Sequence, residues 1–165
     1  MADVTFGAER LIQADEGKPW RNYNYPVKTG TTLYSGMLIA HQPGTRYIEE
    51  AIGASGANDM IVVGVIATAG CSWVSTSNGQ YHLPILSGCI GPFDNSTAGD
   101  LIDEDDVDQT VYAVNGGKLA ITSDTDKRPI AGILRYIDGN GGLWIDCDPN
   151  QNATLYQAAL AATLP

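Results

Sequence analysis

The sequence has few basic residues and no long apolar run. Lysine and arginine together number 9 against 19 acidic residues in 165, which gives a net charge of −10. Nucleic-acid binding and docking on anionic membranes both need clustered cations. A membrane-spanning helix needs roughly 18 or more consecutive apolar residues, and no run approaches that length. We therefore expect neither a nucleic-acid nor a membrane partner.

The sequence is also poor in the residues that build metal centres and nucleophilic sites. Its two histidines and three cysteines form no ligand-type cluster. No serine lies in a Gly-x-Ser-x-Gly elbow, and no phosphate-binding glycine loop is present. We expect a protein that is not an enzyme and that carries no cofactor and no metal.

The cysteines and the N-terminus indicate where the protein is made. Cys71, Cys89 and Cys147 are odd in number and widely spaced. They predict reduced, mostly buried thiols in a protein made in a cytosol. The first residues, Met1–Val4, lack the basic and apolar regions of a secretory signal, so secretion is not expected.

Short apolar runs separated by turn residues extend from Val27 to Asp148. The turn signals are Gln42-Pro43-Gly44, Asn78-Gly79, Asn115-Gly116 and Asp138-Gly139-Asn140-Gly141. Asn-Gly and Asp-Gly pairs tolerate the positive φ angles of tight hairpins. The pattern predicts an all-β domain over residues 27–148.

Two parts of the β region resemble each other. Ser35–Ile39 is similar to Ala98–Ile102, and Val63–Ile66 is similar to Ala131–Leu134. A glycine inside a strand, as in the second pair, permits a bend or a close backbone approach. We predict two similar β units, about 27–90 and 91–148, that form a small sandwich or barrel.

Both ends of the chain differ from this region. Residues 1–26 are polar and irregular, which predicts an extended N-terminal arm. Residues 149–165 are alanine-rich and predict a short C-terminal helix or tail, with Asn150 or Asn152 as its N-cap. Tyr156, Leu160 and Leu164 share one helical face.

An acidic run, Asp100–Asp108, holds most of the seven acidic residues between Asp94 and Asp108. Neither it nor the later Asp146 segment fits the glycine and glutamate positions of a calcium loop. The run is therefore interpreted as a solvated loop or as a contact for a basic partner.

The glycine-centred motifs of the second unit resemble a family of tailed-bacteriophage capsid decoration proteins, also called cement or head-stabilisation proteins. The motifs are Ala98-Gly99-Asp100-Leu101-Ile102, Thr110-Val111-Tyr112, Gly117-Lys118-Leu119, Ile130-Ala131-Gly132-Ile133-Leu134 and Gly142-Leu143-Trp144-Ile145. Val27–Gly30 and Ser35–Leu38 are similar to the earlier part of the same pattern, so the resemblance covers about residues 27–148.

The resemblance implies a β-rich structural protein made in the host cytoplasm and placed on the outside of the virion capsid. It implies a homotrimer that binds the major capsid protein and stabilises the assembled shell without catalysis. The composition of the arm makes Trp20, Arg21, Tyr23 and Tyr25 the candidate capsid-contact residues, because Trp, Tyr and Arg are enriched at protein interfaces. The arm could equally fold back over its own sheet.

Two other functions stay open. A carbohydrate-binding β module, with adhesion to a host surface as its use, is suggested by a set of aromatic residues. They are Trp20, Tyr23, Tyr25, Trp73 and Trp144. A small enzyme of an unrecognised β-barrel class would be indicated by a bound cofactor or metal.

Overall fold

The computed structural model describes residues 13–14, 21–53, 59–68 and 70–163, which form mainly short β-strands. The strands are β1 (Gln13–Ala14), β2 (Arg21–Pro26), β3 (Thr32–Tyr34), β4 (Leu38–His41), β5 (Ile48–Glu50), β6 (Ile61–Ile66), β7 (Ser72–Val74), β8 (His82–Asn95), β9 (Thr110–Asn115), β10 (Lys118–Ala120), β11 (Ile130–Ile137) and β12 (Leu143–Cys147). Helix α1 (Pro149–Thr163) follows. The predicted all-β class with a C-terminal helix is confirmed.

The first barrel is a ring of five strands made by β2, β4, β5, β6 and the first half of β8. Antiparallel pairing runs from β5 through β4, β6 and β8 to β2. Val27, directly after β2, pairs in parallel with Ile48 of β5 and closes the ring. Its buried apolar residues are Val27, Leu33, Met37, Ile39, Ile48, Val63, Ile66, Leu83 and Ile85. Strands β3 and β7 form a separate two-stranded ribbon.

The second barrel repeats this strand order with the second half of β8 and β9 to β12. Antiparallel pairing runs from β10 through β9, β11 and β12 to β8. Asn95 of β8 pairs in parallel with Leu119 of β10 and closes the ring. Gly88, with a φ of +112°, lies where β8 leaves the first barrel and enters the second. The predicted barrel made from similar β units is confirmed with one difference: the two units were expected to build one sandwich or barrel together, and each closes its own ring.

Backbone hydrogen bonds show which residues of the two barrels correspond. The amide of Gly36 donates to the Ile66 carbonyl (3.0 Å), and the amide of Asp108 donates to the Leu134 carbonyl (2.9 Å). Both donors have positive φ, +75° and +68°. The counterpart of residues 36–39 is therefore 108–111.

The predicted match of Ser35–Ile39 with Ala98–Ile102 is consequently wrong. Residues Ala98–Asp100 form a 3-10 helix in the connection that precedes β9. The other match is correct, because Gly64 of β6 pairs with Ile39 and Gly132 of β11 pairs with Val111 at equivalent places. Ser35–Ile39 and Ala98–Ile102 share a glycine followed by apolar residues because both contain a turn, not because they form equivalent strands.

The predicted boundary of the N-terminal arm at residue 26 also needs correction. Residues Arg21–Pro26 form β2, which pairs with β8 along its whole length, from Arg21 opposite Ser87 to Pro26 opposite His82. Strand β1 pairs with the second half of β8. The backbone N–H and C=O groups along an exposed strand edge need hydrogen-bond partners, and β2 provides them for one edge of β8. The β domain thus includes Arg21–Pro26, which join the sheet as a paired strand.

Helix α1 joins the two barrels through one buried amide. The N-cap is Asp148, whose carboxylate accepts a hydrogen bond from the Asn150 amide (2.8 Å), so the predicted asparagine cap is wrong. Asn152 is instead buried, and its Nδ2 donates to the carbonyls of Val62 (3.0 Å) and Ala131 (3.3 Å). These acceptors lie in β6 of the first barrel and β11 of the second.

Replacing Asn152 by alanine is expected to lower the free energy of unfolding by about 1–3 kcal/mol, because both carbonyls lose a buried donor. Urea denaturation measures the change. Asn150→Ala is the matched control, since Asn150 is exposed and its cap hydrogen bond comes from the backbone. Equal effects of the two substitutions would contradict the role given to Asn152.

The predicted absence of disulfides and the burial of most of the cysteines are confirmed. Cys71, Cys89 and Cys147 form no disulfide, and Cys89 and Cys147 are buried whereas Cys71 is exposed. Burial raises the pKa of Cys147 to about 12, which keeps this thiol protonated and inert at neutral pH.

Candidate functional site

A groove with a volume of about 810 Å³ opens at one end of the first barrel. Strands β2 and β4, the turn between β4 and β5, and the start of β8 contribute its walls. The lining residues are Tyr23, Asn24, Tyr25, Pro26, His41, Gly44, Thr45, Arg46 and His82. Ligand sites in β-barrels commonly lie at such barrel mouths.

Strand alternation places the aromatic side chains at the barrel end. Tyr23 and Tyr25 share a face of β2 with Val27, which is buried in the barrel interior. His41 shares a face of β4 with the buried Ile39 in the same way. The Tyr25 ring stacks on His41 at 6.2 Å between centroids and meets the Tyr23 ring edge-on, also at 6.2 Å.

Arg46 gives the groove a positive charge that no described carboxylate pairs with. It lies exposed in the turn between β4 and β5 and forms no ion pair with any residue that the structure describes. Lys28, Arg128 and Arg135 by contrast form ion pairs, as Lys28 does with Glu49 at 2.7 Å. Burial raises the pKa of Tyr25, with a further rise from Tyr23 and an opposing effect from Arg46.

Two of the four candidate contact residues lie together in this groove. Tyr23 and Tyr25 both line it, whereas Trp20 and the side chain of Arg21 lie outside the described residues. Sequence reasoning missed His41, Arg46 and His82. The available signal was the position of His41 two residues after an apolar strand residue, directly before the Gln42-Pro43-Gly44 turn.

The other aromatic candidates for sugar stacking have structural roles. Trp144 is 9% exposed, stacks on Tyr136 at 5.4 Å, and donates its Nε1 hydrogen to Asp138 (3.1 Å). Trp73 is half-buried and packs against the core of the first barrel. Hydrogen bonds, chiefly from the Gly142 amide, lower the pKa of Asp138.

The acidic run forms a folded, exposed connection. A 3-10 helix spans Glu104–Asp106 and is held by a capping box, in which Asp103 accepts from the Asp105 amide (3.0 Å) and Asp106 accepts from the Asp103 amide (2.9 Å). Asp108 pairs with Arg135 at 2.9 Å.

Among the described residues, no three His, Cys, Asp or Glu side chains are placed to hold a metal ion. Within the same part of the chain, no helix is long and apolar enough to cross a membrane.

Comparison with known proteins gives no match to any protein-family model, curated protein or solved structure.

Proposed function

We propose that this chain is a structural protein of a tailed-phage virion that binds the outer surface of the assembled capsid and stabilises it without catalysis. The supporting observation is where the resemblance motifs lie. Those after residue 109 fall on β9, β10, β11 and the start of β12, which are consecutive strands of one closed barrel. Gly132, the glycine inside β11, has Gly64 of β6 as its counterpart in the first barrel. Four of the five glycine-centred motifs of the second unit thus lie on one barrel, whereas Ala98–Ile102 lies in the connection before β9.

Closed barrels suit a decoration role. A ring of paired strands leaves few free edges, so the protein avoids edge-to-edge aggregation at the concentrations reached during assembly. The net charge of −10 disfavours adhesion to the phage's own DNA. A protein that binds only the assembled shell stabilises that shell by mass action. The partner is the major capsid protein, and the protein itself is a homotrimer on the virion exterior.

The test is sedimentation with expanded heads that lack this chain, assembled from the major capsid protein of the same genome. We expect the chain to co-sediment at a fixed ratio to the capsid protein and to raise the temperature at which the heads release DNA. A chain that stays in the supernatant at all concentrations would refute the proposal.

Trp20 and Arg21 are the two candidate capsid contacts to test by substitution. Deleting the whole arm through residue 25 would remove most of β2 from the first barrel, so substitution is the cleaner experiment. The double variant Trp20→Ala/Arg21→Ala should fold normally and bind heads about tenfold or more weakly, as expected for loss of two interface anchors. Asn140→Ala, at an exposed turn, is the control. Unchanged occupancy of the double variant would remove these residues from the contact.

Carbohydrate binding is the alternative that the groove favours. Two tyrosine rings stand beside polar side chains of Asn24, Thr45 and His41, a combination able to stack on and hydrogen-bond a sugar. Binding on a glycan array that Tyr25→Ala abolishes, together with failure to sediment with heads, would establish this alternative instead.

A further inference from the structure

Inside the chain, one end of the second barrel is covered by the first barrel. The amide of Leu38 donates to the Gly116 carbonyl (2.7 Å), and the Gly116 amide donates to Oε1 of Glu50 (2.9 Å). The Gly53 amide donates to the Val114 carbonyl (3.0 Å). The turn between β9 and β10 is therefore enclosed by the start of β4 and the residues around the end of β5.

The equivalent end of the first barrel is the groove. Ile39 corresponds to Val111, so His41 corresponds to Ala113 two residues later. Tyr25 lies two residues before the closing residue Val27, just as Phe93 lies two residues before Asn95. Ala113 is 0% and Phe93 1% exposed, whereas Tyr25 and His41 are only partly buried. Among the residues that the structure describes, nothing covers this end of the first barrel as the second barrel is covered.

The surface of the first barrel that covers the second barrel has a counterpart on the second barrel itself. Pairing places Thr110 at the position of Leu38 and Ile121 at that of Glu50. Counting on from Ile121, Asp124 takes the place of Gly53. Its charged groups are Asp100, Asp124 and Asp126 against Lys127 and Arg128, so this counterpart surface keeps a net negative charge although Arg128 pairs with Asp100 at 3.0 Å and with Asp124 at 4.0 Å.

We propose that the groove of one copy receives this acidic end of the second barrel of another copy, in a head-to-tail contact that repeats the packing inside the chain. Charge complementarity supports this occupant: the groove presents Arg46 and no acidic lining residue, and the incoming surface presents Asp126, which is exposed and forms no ion pair with any described residue. The contact covers Tyr25 and His41 as Phe93 and Ala113 are covered within the chain.

A head-to-tail contact uses two different surfaces, so it builds a ring when the rotation closes. Three copies in such a ring would give the homotrimer of the proposed function, which this inference deepens by naming its interface. Tyr23 and Tyr25 then belong to the contact between copies, and Trp20 and Arg21 remain the candidates for the capsid.

The experiment measures self-association of the full chain by analytical ultracentrifugation, without heads present. The groove variant is Tyr25→Ala/Arg46→Glu, and the acidic-end variant is Asp124→Asn/Asp126→Asn, in which asparagine tolerates the positive φ of both positions. Each variant should weaken association about tenfold or more, because a charge pair across the contact is lost. Arg46→Lys, which keeps the charge, should retain most of the association.

Mixing the two variants provides the sharper readout. Each keeps one intact surface, so at a concentration where each alone is monomeric the mixture should form one-to-one dimers that grow no further. A wild-type chain that stays monomeric, or a mixture that does not associate, would overturn the proposal. Association that persists while heads are not bound would refute the capsid function and leave this contact standing.

Discussion

Gly132→Ala is expected to lower the free energy of unfolding by about 3 kcal/mol or more, because it combines backbone strain with overpacking. A Cβ atom at Gly132 would lie 2.4 Å from the carbonyl oxygen of Asp146 on the neighbouring strand. The φ of Gly132 is +155°, a conformation that side chains rarely adopt. Neither the strand partner nor the φ angle can adjust without disturbing the barrel.

Gly64→Ala should have the same effect in the first barrel. Its φ is +138°, and its Cβ would lie 2.2 Å from the carbonyl oxygen of Leu86. Urea denaturation of both variants measures the loss. Gly139→Ala is the control, because no heavy atom lies within 4 Å of its Cβ position. If the Gly64 or Gly132 variant were as stable as the Gly139 variant, the close strand approach would be refuted.

Phe93→Ala is expected to cost about 3–5 kcal/mol of unfolding free energy, as for other fully buried aromatic residues. Phe93 is 1% exposed in the core of the second barrel. Tyr25→Ala, at the corresponding position of the first barrel, should cost no more than about half as much, because Tyr25 is only partly buried.

The comparison is made by denaturation at a protein concentration where the chain is monomeric. Equal losses for Phe93→Ala and Tyr25→Ala would mean that the two barrel ends are equally covered, which would contradict the open groove. Tyr25→Phe separates the ring from its hydroxyl and should leave the stability nearly unchanged.

Local patterns in the sequence were enough to predict most of the strands and a sandwich or barrel. Asn115-Gly116 and the Asp138–Gly141 segment do form the turns that join β9 to β10 and β11 to β12. Such turns depend on a few adjacent residues. The repeated glycine was visible as well, because Gly64 and Gly132 both have apolar residues on either side.

Features that depend on distant partners could not be predicted. Strand β2 has polar residues at most positions, and its pairing with β8 joins residues more than 55 positions apart. Asn152 is predicted as a helix cap from the sequence, because its actual partners in β6 and β11 are distant along the chain. The groove likewise brings together Tyr25, His41 and His82 from three strands, and no local pattern connects them.

Three-dimensional image reconstruction of heads incubated with the chain tests the central claim most directly. We expect additional density on the outer surface of the shell, in positions that bridge neighbouring capsid subunits, and absent from heads prepared without the chain. An outer surface identical in the two preparations, or density only inside the shell, would contradict the account.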